Sequence, residues 1–200
     1  MRYMKIFKVE EARINEILDI LNRGGIIIYP TETLYGIGAK YNLTESLKKI
    51  YEIKKRPEEK TFPLIVNRDN IFKVVKFIPS IAQDLIEKYW PGPLTLLLPA
   101  KNELPEEIVK DGKVAVRMPG KSFALELIEA SEFPIISTSA NISGQKPASS
   151  FDEVIKYFKD SPIDLFIDGG KLLGIPSTIV DTTVKPPKIL RKGAIDLSFD

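Results

Sequence analysis

The sequence predicts an α/β protein with a mixed, open sheet flanked by helices, and three observations carry that prediction. Apolar runs of strand length alternate with stretches of helical periodicity from end to end. No repeat, low-complexity stretch or linker interrupts the alternation. Fifteen prolines, several at strand ends, favour rigid loops and a mixed sheet over a purely parallel one.

Each element has a local cause. Ile14, Ile17, Leu18 and Leu21 fall at helical spacing, and Gly24-Gly25 stop that helix. Ile26 to Tyr29 is a buried strand. A second helix spans roughly Thr44 to Lys54, with Leu47, Ile50 and Tyr51 on one face, and Pro57 prevents its continuation. Leu64-Ile65-Val66 forms a short strand. Ser80 and Gln83 make a capping-box signature for a helix to about Lys88. Leu94–Leu98 and Val114–Val116 are strands, and a short helix near Phe123–Glu129 leads to a strand at Ile135-Ile136-Ser137. Ser150 with Glu153 spells a second capping box, for a helix through about Phe158. Leu165–Ile167 and Thr178–Val180 complete the strands. The expected organisation is one domain over residues 1–200, with its core at about 10–193, no second C-terminal domain, and residues 185–200 as a candidate docked tail.

Composition narrows the chemistry. Two hundred residues are enough for a sizeable core, and 44% apolar with 28% charged residues is the balance of a soluble globular protein. Twenty-nine basic against 27 acidic residues leave a net charge of +2, which argues against a protein that blankets phosphate backbones but allows a local basic pocket. With no signal peptide and no run approaching the ~20 apolar residues of a membrane span, the expected location is cytoplasmic, with no membrane partner. Cysteine and histidine are both absent. Disulfides, thiolate nucleophiles, cysteine-based zinc sites and Ser-His-Asp catalysis are thereby excluded. Chemistry must run on carboxylates, hydroxyls, lysine, arginine and a borrowed metal.

Polar clusters gather at strand ends, where ligand sites of open α/β sheets lie. Pro30 to Gly38 (PTETLYGIG) offers hydroxyls, a carboxylate and two glycines, but it also fits a plain turn and matches no phosphate-loop pattern. Lys54 and Arg56 leave a helix end together; they either complement its dipole or converge on a polyphosphate. Trp90, in WPGPLT, is a core or pocket-wall residue. Arg117 ends a strand, and its fork suits a surface cap or a carboxylate. Ser137 to Gly144 (STSANISG) holds five hydroxyl or amide residues in eight, suited to hydrogen bonds with phosphate or ribose. With no histidine to activate them, these serines are not expected to act as nucleophiles. Asp168-Gly169-Gly170, Ser177-Thr178 and Arg191 close the set.

Taken in order, PTETLYGIGAKY, IYEIKKRP with PLIV, WPGPLTLLL, VAVRMP, STSANISG, DGG, PSTIVD and ILRKG resemble the YrdC family of threonylcarbamoyl-AMP synthases, over residues 25 to 193. The resemblance implies a twisted α/β sheet with a large concave cavity. It also implies a nucleotidyltransferase reaction: threonine and bicarbonate form a carbamate, which attacks the α-phosphate of ATP and releases pyrophosphate. The adenylate would pass to a tRNA-modifying transferase complex for threonylcarbamoyladenosine biosynthesis beside the anticodon. Direct contact with tRNA or double-stranded RNA is allowed.

Carried over position by position, the resemblance places Lys54 and Arg56 on the triphosphate, where they would stabilise charge. Thr95, Ser139, Asn141, Ser149 and Arg191 would complete the ATP site. Thr31, Asn67, Arg117, Ser137 and Ser177 would bind threonine. No fixed metal site is expected, and Mg2+ would ride on the ATP phosphates. Three departures from the family pattern stand out: Asn67 where many members have histidine, Thr138 where many have proline, and Pro176 where longer members often have glutamate. The alternatives are a YciO-like paralogue, an RNA-binding module, and the carbamoyl-adenylate chemistry of hydrogenase maturation, which uses this domain inside a much larger protein.

Overall fold

The computed structural model describes residues 5–199, and its strands form two sheets. In chain order, β1 (Ile6–Lys8) and a 3-10 turn precede α1 (Ile14–Asn22), β2 (Ile27–Pro30), β3 (Tyr35–Gly38), α2 (Thr44–Lys54) and β4 (Leu64–Ile65). A second 3-10 turn then leads to α3 (Ser80–Tyr89), β5 (Leu94–Pro99), β6 (Val109–Lys110) and β7 (Lys113–Arg117). The chain continues through α4 (Phe123–Glu129), β8 (Ile135–Ile136), β9 (Thr138–Ser139), α5 (Phe151–Phe158), β10 (Leu165–Asp168), β11 (Thr178–Asp181) and β12 (Lys188–Arg191).

One sheet has the order β1-β10-β2-β3-β9; the other runs β12-β11-β5-β7-β4-β8, with β6 paired to β7. Both mix parallel and antiparallel neighbours. The fold class is as the sequence predicts, but the sheet is divided. The run Ile135-Ile136-Ser137 is not one strand: β8 pairs with β4 in one sheet and β9 with β3 in the other. Ser137 is the residue between them, its N–H donating to Pro63 O at 2.9 Å.

The unbroken apolar run of β2 follows from burial on both faces. Ile26 and Ile28 join the large core cluster, whereas Ile27 and Tyr29 join a smaller one built with Ile17 and Leu21 of α1 and Phe123, Leu127 and Ile128 of α4. Each fully buried side chain of this size contributes about 1.5–3 kcal/mol relative to exposure.

The two expected capping boxes fare differently. At α3, Pro79 occupies the N-cap position without a side-chain cap, Ser80 is already helical, and Gln83 Nε2 donates to Ile78 O. The reciprocal box does not form there. At α5, Ser150 caps by accepting from Glu153 N, but Glu153 Oε2 accepts from Ser149 N and Oγ, one residue earlier than a true box requires. The expected docked tail is in part a strand: β12 pairs antiparallel with β11. The run read as a plain turn or polar loop contains β3, which pairs with both β2 and β9.

Candidate functional site

The concave face of the seven-stranded sheet is the floor of a cavity of about 550 Å³. Strand alternation puts it there, because successive side chains point to opposite faces. On β7, Val114 and Val116 are buried in the core while Lys113, Ala115 and Arg117 line the cavity. On β5, Thr95 and Leu97 line it while Leu94, Leu96 and Leu98 face the core; on β11, Ile179 and Asp181 line it. The registers set these residues side by side: Ile179 lies opposite Thr95, and Leu97 lies opposite both Asp181 and Ala115. The walls come from Thr31 to Gly36, Arg56, Ser137 to Ser139, Pro176-Ser177 and Leu190-Arg191.

The wall around Thr31 is a tight hydroxyl cluster. Thr31 Oγ1 lies 2.9 Å from Thr33 Oγ1 and donates to Leu34 O, while the amides of Thr33 and Leu34 donate to it. Arg117 Nη1 reaches Thr33 Oγ1 at 3.4 Å. The glycines of this motif are steric requirements: a Cβ on Gly38 would lie 2.6 Å from the Tyr29 ring, and one on Gly36 would lie 3.2 Å from Ser137 Oγ.

On the opposite wall, Thr95 Oγ1 and Ser177 Oγ are 2.9 Å apart, and Arg191 donates to Ser177 O and Oγ. The close approach needs Gly193, whose Cβ would lie 2.3 Å from Pro176 O. Burial and the charge of Arg117 both lower the Arg191 pKa from its ordinary value. Arg56 donates to Lys60 O and Thr61 O and sits over the Phe62 ring; burial lowers its pKa too.

Of the twelve side chains singled out in the sequence, eight line this cavity: Thr31, Arg56, Thr95, Arg117, Ser137, Ser139, Ser177 and Arg191. Four do not. Lys54 is buried, and its Nζ donates to Ser139 O, Asn141 O and Asn141 Oδ1, so its donors are already engaged. Asn141 accepts from Lys54 and Ser139 Oγ and donates to Ile142 O and Gln145 O, which occupies its amide. Ser149 is turned to Glu153. Asn67 staples a loop: its Nδ2 donates to Ile128 O and Ser131 O, and its Oδ1 accepts from the amides of Asp69 and Asn70. Asn67 is thus a scaffold residue rather than part of the cavity wall.

The structure also brings in residues that the sequence analysis did not single out. Lys113 Nζ and Asp181 Oδ2 form a 2.7 Å ion pair on the floor. Thr33, Thr61, Lys110 and Asp111 line the cavity as well. The period-2 pattern of Lys113-Val114-Ala115-Val116-Arg117 held the signal for Lys113, since it shares the Arg117 face.

The sheet and cavity together define an α/β protein with a deep cleft lined by guanidinium groups and hydroxyls. Residues 19–193 match the Sua5/YciO/YrdC family, described as telomere recombination, and the chain belongs to that family. It is 40% identical over 196 residues to a threonylcarbamoyl-AMP synthase of Pyrococcus abyssi, covering 95% of this chain and 56% of that one. Among solved structures, P. abyssi Sua5 complexed with L-threonine matches at a TM-score of 0.86 and 36% identity, covering 96% of this chain and 58% of that one. Escherichia coli YciO matches at 0.85 and 27% identity, covering 98% of each chain. The chain spans a little over half the length of two threonylcarbamoyl-AMP synthase relatives it matches, at 56% and 54%.

Proposed function

We propose that this chain is an L-threonylcarbamoyladenylate synthase, a nucleotidyltransferase that joins L-threonine, bicarbonate and ATP and releases pyrophosphate. The observation that carries the reading is the continuity of one cavity from Thr31 and Arg117 to Arg56, Ser139 and Arg191, with no histidine or cysteine in the chain. A carbamate formed on the amino acid is its own nucleophile, so the protein has only to align it with the α-phosphate and offset developing charge. Alignment of this kind supplies up to about 7–11 kcal/mol. The similarity to a Sua5 that binds L-threonine supports the amino acid.

In this reading Arg117 takes the threonine carboxylate, with Thr31, Ser137 and Ser177 around it. Arg56 and Arg191 face the ATP phosphates, with Ser139 and Thr95 beside them. Lys54 and Asn141 act one step back, fixing the loop that presents Ser139. Magnesium is proposed to arrive on the phosphates: of the carboxylates lining the cavity, Asp181 is engaged by Lys113 and Thr183, and Asp111 is exposed, so this donor set does not suit a resident ion. The adenylate would serve a transferase that modifies tRNA, in the cytoplasm. Among the described residues no helix is long and apolar enough to cross a membrane.

The test is pyrophosphate release by the purified chain with ATP, magnesium and bicarbonate, with threonine, serine or no amino acid. Release that requires threonine and bicarbonate, and falls in Arg56→Ala, is expected. No release above a blank from folded protein overturns the reading and favours a YciO-like role.

A further inference from the structure

The described part of the molecule has one anomalous buried group, the Glu32 carboxylate. Both of its oxygens are shielded from solvent, and neither has a hydrogen-bond partner. Leaving an ionised carboxylate in that condition is costly unless a charge compensates it. The compensating charge is Arg117, whose Nη1 lies 3.6 Å from Glu32 Oε1, beyond ordinary hydrogen-bond length but within ion-pair range. The two side chains face different spaces. Arg117 lines the main cavity, whereas Glu32 lies on the far side of the Thr31 wall, against a second, more open hollow lined by Lys121 and Lys171 among others.

The position of Glu32 is sterically defined. A Cβ on Gly120 would lie 3.1 Å from Glu32 Cγ, so the side chain packs directly on that glycine. Arg117 is in turn held at Thr33 Oγ1, itself bonded to Thr31 Oγ1. A second guanidinium, Arg191, shares the cavity and repels Arg117. Arg117 and Arg191 bring like charges to the same cavity, and Glu32 is the carboxylate set behind Arg117.

We propose that Glu32 is the positioning residue of the carboxylate-binding end of the cavity, holding the Arg117 guanidinium from behind so that its fork is directed at the ligand. The proposal rests on the synthase reading for the identity of that ligand. Glu32 touches no reacting atom and acts through Arg117 alone.

The experiment uses the full chain and the Glu32→Gln and Glu32→Asp variants, with thermal melts to confirm folding. Steady-state pyrophosphate release is measured against threonine and, separately, against ATP. The Arg117 guanidinium 15N–1H signals, assigned with Arg117→Lys, are compared between wild type and variants. Glu32→Gln is expected to raise the threonine KM on the order of 10- to 100-fold and to change the ATP KM by less than about threefold, because only the orientation of Arg117 is disturbed. Its restricted Arg117 signals should collapse into an averaged one, and Glu32→Asp should restore part of both effects.

An unchanged or lowered threonine KM, or equal losses for threonine and ATP, overturns the proposal. If wild type shows no threonine-dependent release, the synthase reading fails on its own. The Arg117 signals then still decide the role of Glu32: their loss in Glu32→Gln upholds it and their retention overturns it.

Discussion

Lys54 occupies the last turn of α2, where a cation complements the helix dipole, yet it is almost wholly removed from solvent. Burial, helped by the nearby charge of Arg56, pushes its pKa down to about 7 from an ordinary 10.5. The three oxygens around Nζ favour the ammonium, but burial sets the net direction. Between about pH 7 and 10.5 the unfolded chain therefore holds more protons than the folded one at this site, and stability rises with pH across that window. Below about 7 both states are protonated and the slope vanishes. Urea midpoints should show wild type gaining on Lys54→Met between about pH 7 and pH 9.5; parallel profiles would refute the assignment. Arg56 invites a second test. Its guanidinium bridges Lys60 O and Thr61 O while lining the cavity, and a lysine cannot reproduce that fork. Arg56→Lys is expected to raise the ATP KM by about tenfold or more, with little effect on the threonine KM, in the pyrophosphate assay.

At the scale of elements, the two serines that resemble N-caps in the sequence separate cleanly. Ser150 accepts from Glu153 N at the start of α5, so Ser150→Ala should cost about 1 kcal/mol. Ser80 is inside α3 behind Pro79 and caps nothing, so Ser80→Ala should stay within about 0.5 kcal/mol. Chemical denaturation of the pair side by side checks both. The β2–β3 hairpin has a sharper dependence on one residue. Gly38 lies opposite Ile27 in the pairing and under the buried Tyr29 ring. Gly38→Ala should therefore cost about 1–3 kcal/mol from overpacking, read as a lowered urea midpoint with an unchanged slope. The same close packing explains why this segment was hard to recognise as a strand. Its apolar content is interrupted by two glycines, Gly38 under the Tyr29 ring and Gly36 against Ser137 Oγ.

For the molecule as a whole, most helices and strands were legible along the chain. The α2 boundaries, Thr44 and Lys54, follow from one apolar face and a downstream proline, and β2 from an unbroken isoleucine run that only two-sided burial explains. These signals are local: periodicity, turn residues and chain length act within a few residues of each other. The division into two sheets at Ser137 and the strand pairing that joins β12 to β11 were not legible, and the convergence of Arg56, Arg117 and Arg191 on one cavity was implied by the family resemblance rather than by any local pattern. They depend on register between segments more than fifty residues apart for most of these groups, which local pattern leaves open. The polar motifs named the candidate residues, and the sheet then sorted them. Strand alternation turned Arg117 and Lys113 to the cavity, whereas hydrogen bonding drew Lys54, Asn141 and Asn67 into scaffold roles. Residue type therefore announced a basic, hydroxyl-rich site without a nucleophile of its own. Only tertiary packing decided which side chains face the ligand space, because a buried polar group takes whatever partner the fold brings within hydrogen-bond reach.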